Sequence, residues 1–196
     1  MLKASSKKRP VKSRIVCFGD SLTVCGGRDG RYTDWLASFL PDCEIINKGV
    51  GGDTLMSGRA RFQEDVISLE PDIVVIELDA NDFWAKARTI EELRNDYAFM
   101  IKKAQKNNIK VVLAGVFGDM VDNQGTPVLK VWGTNDFGRQ ILEMERELAS
   151  KYNCEHIENI QADIKNKKYW IDSNHPNKQG NRFVALRILP AVKKLQ

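Results

Sequence analysis

The chain has 196 residues, 42% hydrophobic and 29% charged, with a formal net charge of +4. That length buries one substantial core and is short for two domains. No apolar run approaches the roughly 18 residues of a membrane-spanning helix, and the basic start lacks the apolar segment of a secretory signal.

The positive excess is local. Residues 1–14 carry Lys3, Lys7, Lys8, Arg9, Lys12 and Arg14 and no acid, which leaves 24 basic against 26 acidic residues elsewhere. A body without basic bias argues against nucleic acid as the main partner. Residues 1–13 read as a basic, flexible leader, and residues 14–196 as a single domain. Cys17, Cys25, Cys43 and Cys154 form no CxxC pair and fit no zinc spacing. They read as free thiols in a reducing compartment, and a cytoplasmic location is the expectation.

In chain order, an apolar strand over Arg14–Phe18 stops at Gly19 and is followed by Asp20-Ser21-Leu22-Thr23. A helix over Tyr32–Leu40 ends at Pro41, and a second strand over Cys43–Asn47 runs into Lys48-Gly49-Val50-Gly51-Gly52-Asp53-Thr54. A helix over Thr54–Leu69 stops before Pro71. The third strand, Asp72–Leu78, lacks polar alternation, as befits a parallel strand covered on both faces. It leads into Asp79-Ala80-Asn81-Asp82. The next helix, Thr89–Asn107, opens with a capping box (Thr89 with Glu92 three on) and carries Leu93, Tyr97, Met100, Ile101 and Ala104 on one stripe. A strand over Lys110–Val116, a long irregular connection over 117–134, a helix over Asn135–Lys151 and a short strand over Cys154–Ile157 follow. Trp170-Ile171-Asp172-Ser173-Asn174-His175-Pro176 then precedes the last helix, Asn177–Leu195. Five strands alternating with helices define an α/β fold with a parallel sheet and helices on both faces.

In such a fold, reactive groups belong at the carboxyl ends of the strands, and polar clusters stand there. Ser21 is the candidate nucleophile. A serine hydroxyl needs a base to take its proton, and the chain has only two histidines, His156 and His175. His175, three residues after Asp172, fits the base, with Asp172 fixing its tautomer; His156 reads as structural. The Gly49–Gly52 turn can offer a backbone N–H, Asn81 a side-chain amide, and Ser21 its own N–H, which together suit an oxyanion hole. Each piece taken singly has a plainer reading, as a helix cap, a chain reversal or ordinary loop chemistry. A nucleotide-binding module is the competing class. Against it, Gly49-Val50-Gly51-Gly52 does not complete GxGxxG, because Thr54 occupies the last place.

These blocks, spanning roughly Arg14 to Ala185, resemble the GDSL, or SGNH, hydrolases, closest to the small thioesterase/lysophospholipase-type esterases. Gly19-Asp20-Ser21-Leu22 matches the first block, Asn47…Gly52 the second, Asn81-Asp82 the third and Asp172-x-x-His175 the last. The resemblance implies a three-layer α/β/α sandwich with a flavodoxin-like five-stranded sheet. It implies a triad of Ser21, His175 and Asp172, and oxyanion donors at Ser21, Gly52 and Asn81. It also implies no metal or organic cofactor, and a small-molecule carboxylic ester or thioester as substrate. Carbohydrate O-deacetylation uses the same machinery. The chain departs from the family at Asp79, where glycine is usual. A carboxylate beside a developing oxyanion opposes it, so a catalytically weak or inactive binding protein is a further reading.

Overall fold

The computed structural model describes residues 12–118 and 136–196. The leader up to residue 11 and residues 119–135 of the long connection lie outside them. Ser13, assigned above to the leader, is instead the first residue of a strand: it pairs with Cys43 and is buried, and Lys12 N–H donates to Asp42 O at 2.7 Å.

Five strands form one sheet: β1 (Ser13–Gly19), β2 (Cys43–Gly49), β3 (Ile73–Glu77), β4 (Lys110–Ala114) and β5 (Glu155–Ile157). Their order is β2-β1-β3-β4-β5 and all four pairings are parallel. This is the flavodoxin-like order, in which the chain doubles back between β1 and β3 and opens a crevice at their carboxyl ends. The β-branched runs of β1 and β3 are buried on both faces, and β2, at the edge, is half-buried along its whole length.

Among the described residues, seven helices cover the sheet: α1 (Ser21–Val24), α2 (Tyr32–Phe39), α3 (Leu55–Asp65), α4 (Ala80–Ala85), α5 (Ile90–Lys106), α6 (Asp136–Tyr152) and α7 (Lys178–Leu195). The pairs in contact are α2 with α7, and α3 with α5 with α6, so the two groups make the outer layers of a sandwich. The expected capping box opens α5: Thr89 Oγ1 accepts from Glu92 N–H, and Glu92 Oε2 accepts from Thr89 N–H. Its stripe of Leu93, Tyr97, Met100, Ile101 and Ala104 is buried.

Two differences from the sequence expectation concern the site. The helix after β2 ends at Asp65 rather than Leu69, since Ile67–Leu69 tightens into a single 3₁₀ turn that Glu70 closes at φ +47°. Pro71 denies its predecessor the helical conformation, and the chain leaves the helix early. In addition, α1 and α4 were not expected as helices. Each is a turn or two started by an aspartate at the end of a strand, too short for a 3.6-residue pattern to register.

The central strand makes a stability test. Ile76→Ala empties space beneath a fully buried side chain and is expected to cost about 2–5 kcal/mol. Met56→Ala, at an exposed position of α3, is expected to stay within about 0.5 kcal/mol. Urea unfolding midpoints at unchanged slope measure both.

Candidate active site

Asp20 ends the first strand's run and caps α1, its Oδ1 accepting from Leu22 N–H at 2.9 Å. The cap places Ser21 as the first residue of that short helix, at the crevice between β1 and β3. Beneath it, Thr23 Oγ1 donates to Glu77 Oε2 at 2.9 Å and lies 3.2 Å from Tyr32 Oη. Gly19 permits this packing: a Cβ there would stand 2.2 Å from Thr23 Oγ1 and 2.6 Å from Glu77 Oε2.

The imidazole arrives from the other end of the chain. Trp170 and Pro176 bridge in antiparallel fashion, and Ile171 N–H donates to His175 O at 2.8 Å, so residues 170–176 form a closed turn. Inside it, Asp172 Oδ1 accepts from Asn174 N–H and His175 N–H, both at 2.8 Å. His175 Nδ1 lies 2.8 Å from Asp172 Oδ2, and His175 Nε2 lies 2.9 Å from Ser21 Oγ. With Nδ1–H donating to the carboxylate, Nε2 is left as the acceptor for the serine hydroxyl. Hydrogen bonds from Asn174 N–H, then from the His175 ring and backbone, pull the Asp172 carboxyl down to about 2 although half of its side chain is exposed.

Asn81, the second residue of α4, directs Nδ2 at Asp20 Oδ2 and at Asp53 O, both at 2.9 Å. Its amide therefore ties the β1 and β2 loops together, and both of its hydrogens are engaged. Gly52 is exposed at φ +84°, with open space where a Cβ would stand. Arg61 of α3 braces the same loops: its guanidinium donates to Gly19 O, Lys48 O and Asp53 Oδ2 and covers the Phe18 ring at 4.0 Å. Asp82 Oδ2 accepts from Leu55 N–H at 2.7 Å, fixing α4 against the start of α3.

Asp79 turns inward. Its carboxyl is fully buried, with Oδ2 3.3 Å from Tyr97 Oη. It is thus part of the core and not of the crevice. Its backbone takes φ +125°, a conformation that costs an aspartate of order 1–3 kcal/mol. His156 also faces the core, its Nε2 3.4 Å from Glu145 Oε2.

Glu77, Glu145 and Asn181 were not singled out in the sequence. The first two carried a signal: each is an acid inside an apolar pattern, Glu77 closing the run Ile73–Ile76 and Glu145 standing in the stripe of Ile141, Leu142, Leu148 and Ala149. Asn181 carried none. It is a buried amide whose Nδ2 reaches Cys25 O at 2.9 Å and Gly30 O at 3.0 Å, tying α7 to the serine segment. Among the described residues, no group of three or more His, Cys, Asp or Glu is arranged to hold a metal ion, and no helix is long and apolar enough to cross a membrane.

The α/β sandwich holds a serine, an imidazole and a carboxylate in line at the carboxyl edge of its sheet, and sequence comparison gives the family. The profile of the GDSL-like lipase/acylhydrolase family matches residues 17–183, and the chain belongs to that family. An acetylxylan esterase of Geobacillus stearothermophilus is 33% identical over 88 residues, which cover 36% of this chain and 40% of that protein. The chain thus aligns with less than half the length of that curated relative. Among solved structures, an acetyl xylan esterase, AlAXEase, is 30% identical with a TM-score of 0.72, over 91% of this chain and 99% of that one. TesA is 20% identical with a TM-score of 0.78, over 93% of this chain and 99% of that one, and shows the same fold.

The two aspartates beside Ser21 and His175 link stability to pH with opposite sign. Asp172 ionises lower in the folded chain than in the unfolded one, so its contribution is complete above about pH 4 and is lost as pH falls toward about 2. Burial raises Asp20 to about 6, so its ionisation removes stability as pH rises from about 4 to 6. Thermal midpoints are expected to show Asp172→Asn below wild type at pH 5, with the gap closing by pH 2. A gap constant across that range contradicts this assignment.

Proposed function

We propose that the protein is a serine esterase that hydrolyses carboxylic esters through Ser21, His175 and Asp172. The observation that carries this reading is the 2.9 Å contact between Ser21 Oγ and His175 Nε2, groups 154 positions apart in the chain. The 2.8 Å contact from the other ring nitrogen to Asp172 supports it. Ser21 Oγ attacks the carbonyl carbon as His175 Nε2 takes its proton. The imidazolium then returns that proton to the leaving alcohol, and water activated by the same nitrogen releases the acid. Asp172, ionised across the neutral range, holds the Nδ1–H tautomer and stabilises the imidazolium.

The oxyanion donors in this reading are the N–H groups of Ser21 and Gly52 and the amide of Asn81. Asn81 Nδ2 then gives the oxyanion a hydrogen that the Asp53 carbonyl receives in the free protein. Each such donor is worth about 3–4 kcal/mol in the transition state. The buried, inward Asp79 carboxyl supports an active site over an inactive binding protein, since it lies among core groups.

The acetylxylan esterases among the similar proteins favour a narrower second reading, in which the ester is an acetyl group on a carbohydrate. A thioester substrate uses the same steps. A cytoplasmic location belongs to the proposal too: all four cysteines are free, as a reducing compartment leaves them.

Ser21→Ala is expected to lower kcat/KM for p-nitrophenyl acetate by about a thousandfold or more, with an unchanged unfolding midpoint. It is also expected to abolish covalent labelling by a fluorophosphonate. A variant that hydrolyses at the wild-type rate refutes the mechanism. Release of acetate from acetylated xylan, set against p-nitrophenyl esters of increasing chain length, separates the two substrate classes.

A further inference from the structure

Behind Asn81 lies a set of buried ionisable groups that the steps above do not use. Asp79, Glu77 and Glu145 are all fully buried, as is Tyr97. Tyr97 Oη has one hydrogen and donates it to Leu78 O, a carbonyl that can only accept. Two carboxyl oxygens nevertheless approach the same phenolic oxygen, Asp79 Oδ2 at 3.3 Å and Glu145 Oε1 at 3.4 Å. An ionised carboxylate there would face lone pairs with lone pairs. A carboxylic acid would donate.

Of the two, Asp79 is placed to hold the proton. Glu145 Oε2 already has the ring nitrogen of His156 at 3.4 Å. Its carboxyl is seated over Gly115, where a Cβ would come within 2.4 Å of Oε2. Among the described residues Asp79 Oδ1 has no hydrogen-bond partner, so none of them compensates a negative charge there. The groups facing Asp79 are Tyr97 from α5, Glu145 from α6 with His156 of β5 behind it, Glu77 from β3 and Asp20 from the turn after β1. Burial, and then the neighbouring Glu145, Glu77 and Asp20, push the Asp79 carboxyl well above the usual carboxylate range.

Asp79 is also the residue whose backbone turns the chain out of β3. It holds φ +125° at the N-cap position of α4, where its side chain makes no capping bond, and its carbonyl accepts from Phe83 N–H at 2.9 Å. Asn81 sits two residues further on. We infer that Asp79 is a positioning residue that works as a neutral carboxylic acid: its O–H, donated to Tyr97 Oη beside Glu145, holds the positive-φ turn that aims the Asn81 amide at the β1 and β2 loops. The inference rests on the esterase reading for its catalytic half and on hydrogen counting for its other half.

Asp79→Asn imitates the neutral acid: it donates from the same place, tolerates positive φ and does not titrate. Asp79→Gly accepts the backbone turn but has nothing to donate. With p-nitrophenyl acetate at pH 7, Asp79→Asn is expected to keep kcat within about threefold of wild type. Asp79→Gly is expected to lose tenfold or more in kcat with KM within about twofold. Thermal midpoints of wild type and Asp79→Asn, taken from pH 4 to 8, give a readout independent of activity. The unfolded chain releases the Asp79 proton near pH 4 while the folded chain keeps it, so wild type is expected to lose stability relative to Asp79→Asn progressively as pH rises. A gap that stays flat over that range means an ordinary ionised aspartate and overturns the inference. Wild-type kcat in Asp79→Gly overturns it as well. If wild type hydrolyses no ester, the esterase reading and the positioning of a catalytic Asn81 fall together, and the pH-dependent gap alone decides whether Asp79 is neutral.

Discussion

A single hydrogen-bonding distance between two ends of the chain constrains the architecture. For Ser21 Oγ to stand 2.9 Å from His175 Nε2, the end of β1 and the turn ahead of α7 must meet at one edge of the sheet. Parallel pairing in the order β2-β1-β3-β4-β5 brings the strand ends to that edge. The packing of α7 on α2 then brings the last turn over the first, and Asn181 fastens the two segments directly through Cys25 O and Gly30 O. Each partner is also fixed locally, the serine by its Asp20 cap and the imidazole by the closed turn of residues 170–176.

The carboxyl groups around this edge divide into two kinds, and solvent decides which is which. Asp172 is half-exposed, receives hydrogen bonds from two backbone amides and the imidazole, and carries its charge readily. Asp20, Glu77 and Asp79 are shut away from water, and burial favours their uncharged forms. The exposed acid serves the imidazole, and the buried ones serve the backbone. Glu77 packs under the serine turn through Thr23, Asp20 joins that turn to Asn81, and Asp79 shapes the exit from β3. Apolar strands alone would leave these turns without partners for their polar groups. A run such as Ile73-Val74-Val75-Ile76 ends in an acid because the chain must turn there inside the protein.

Much of this was legible in the residues. The strands announced themselves by β-branched runs, the long helices by stripes and caps, and the polar clusters by their position after each strand. The position of Ser21, His175 and Asp172 followed from those clusters, because a parallel sheet has only one edge at which strand ends collect. Two kinds of feature were not legible. The short helices α1 and α4 contain too few residues for a period, and tertiary contacts rather than propensity form them. The direction of the Asp79 side chain was equally hidden. Sequence places a carboxylate two residues from Asn81, and only the packing of α5 and α6 reveals that it points at Tyr97. Similarly, Ser13 reads as part of a polar leader by composition, yet the neighbouring edge strand recruits it through Cys43.

The tie between α7 and the serine segment also bears on how the protein comes into being. All five strands precede residue 158, so they leave the ribosome before the closing turn and the final helix. The hydroxyl at position 21 then lacks an imidazole until the closing turn and final helix emerge and dock. If Ser21 and His175 act as the proposed esterase reading has it, biosynthesis itself sets the moment at which reactivity begins, because the serine leaves the ribosome long before its imidazole.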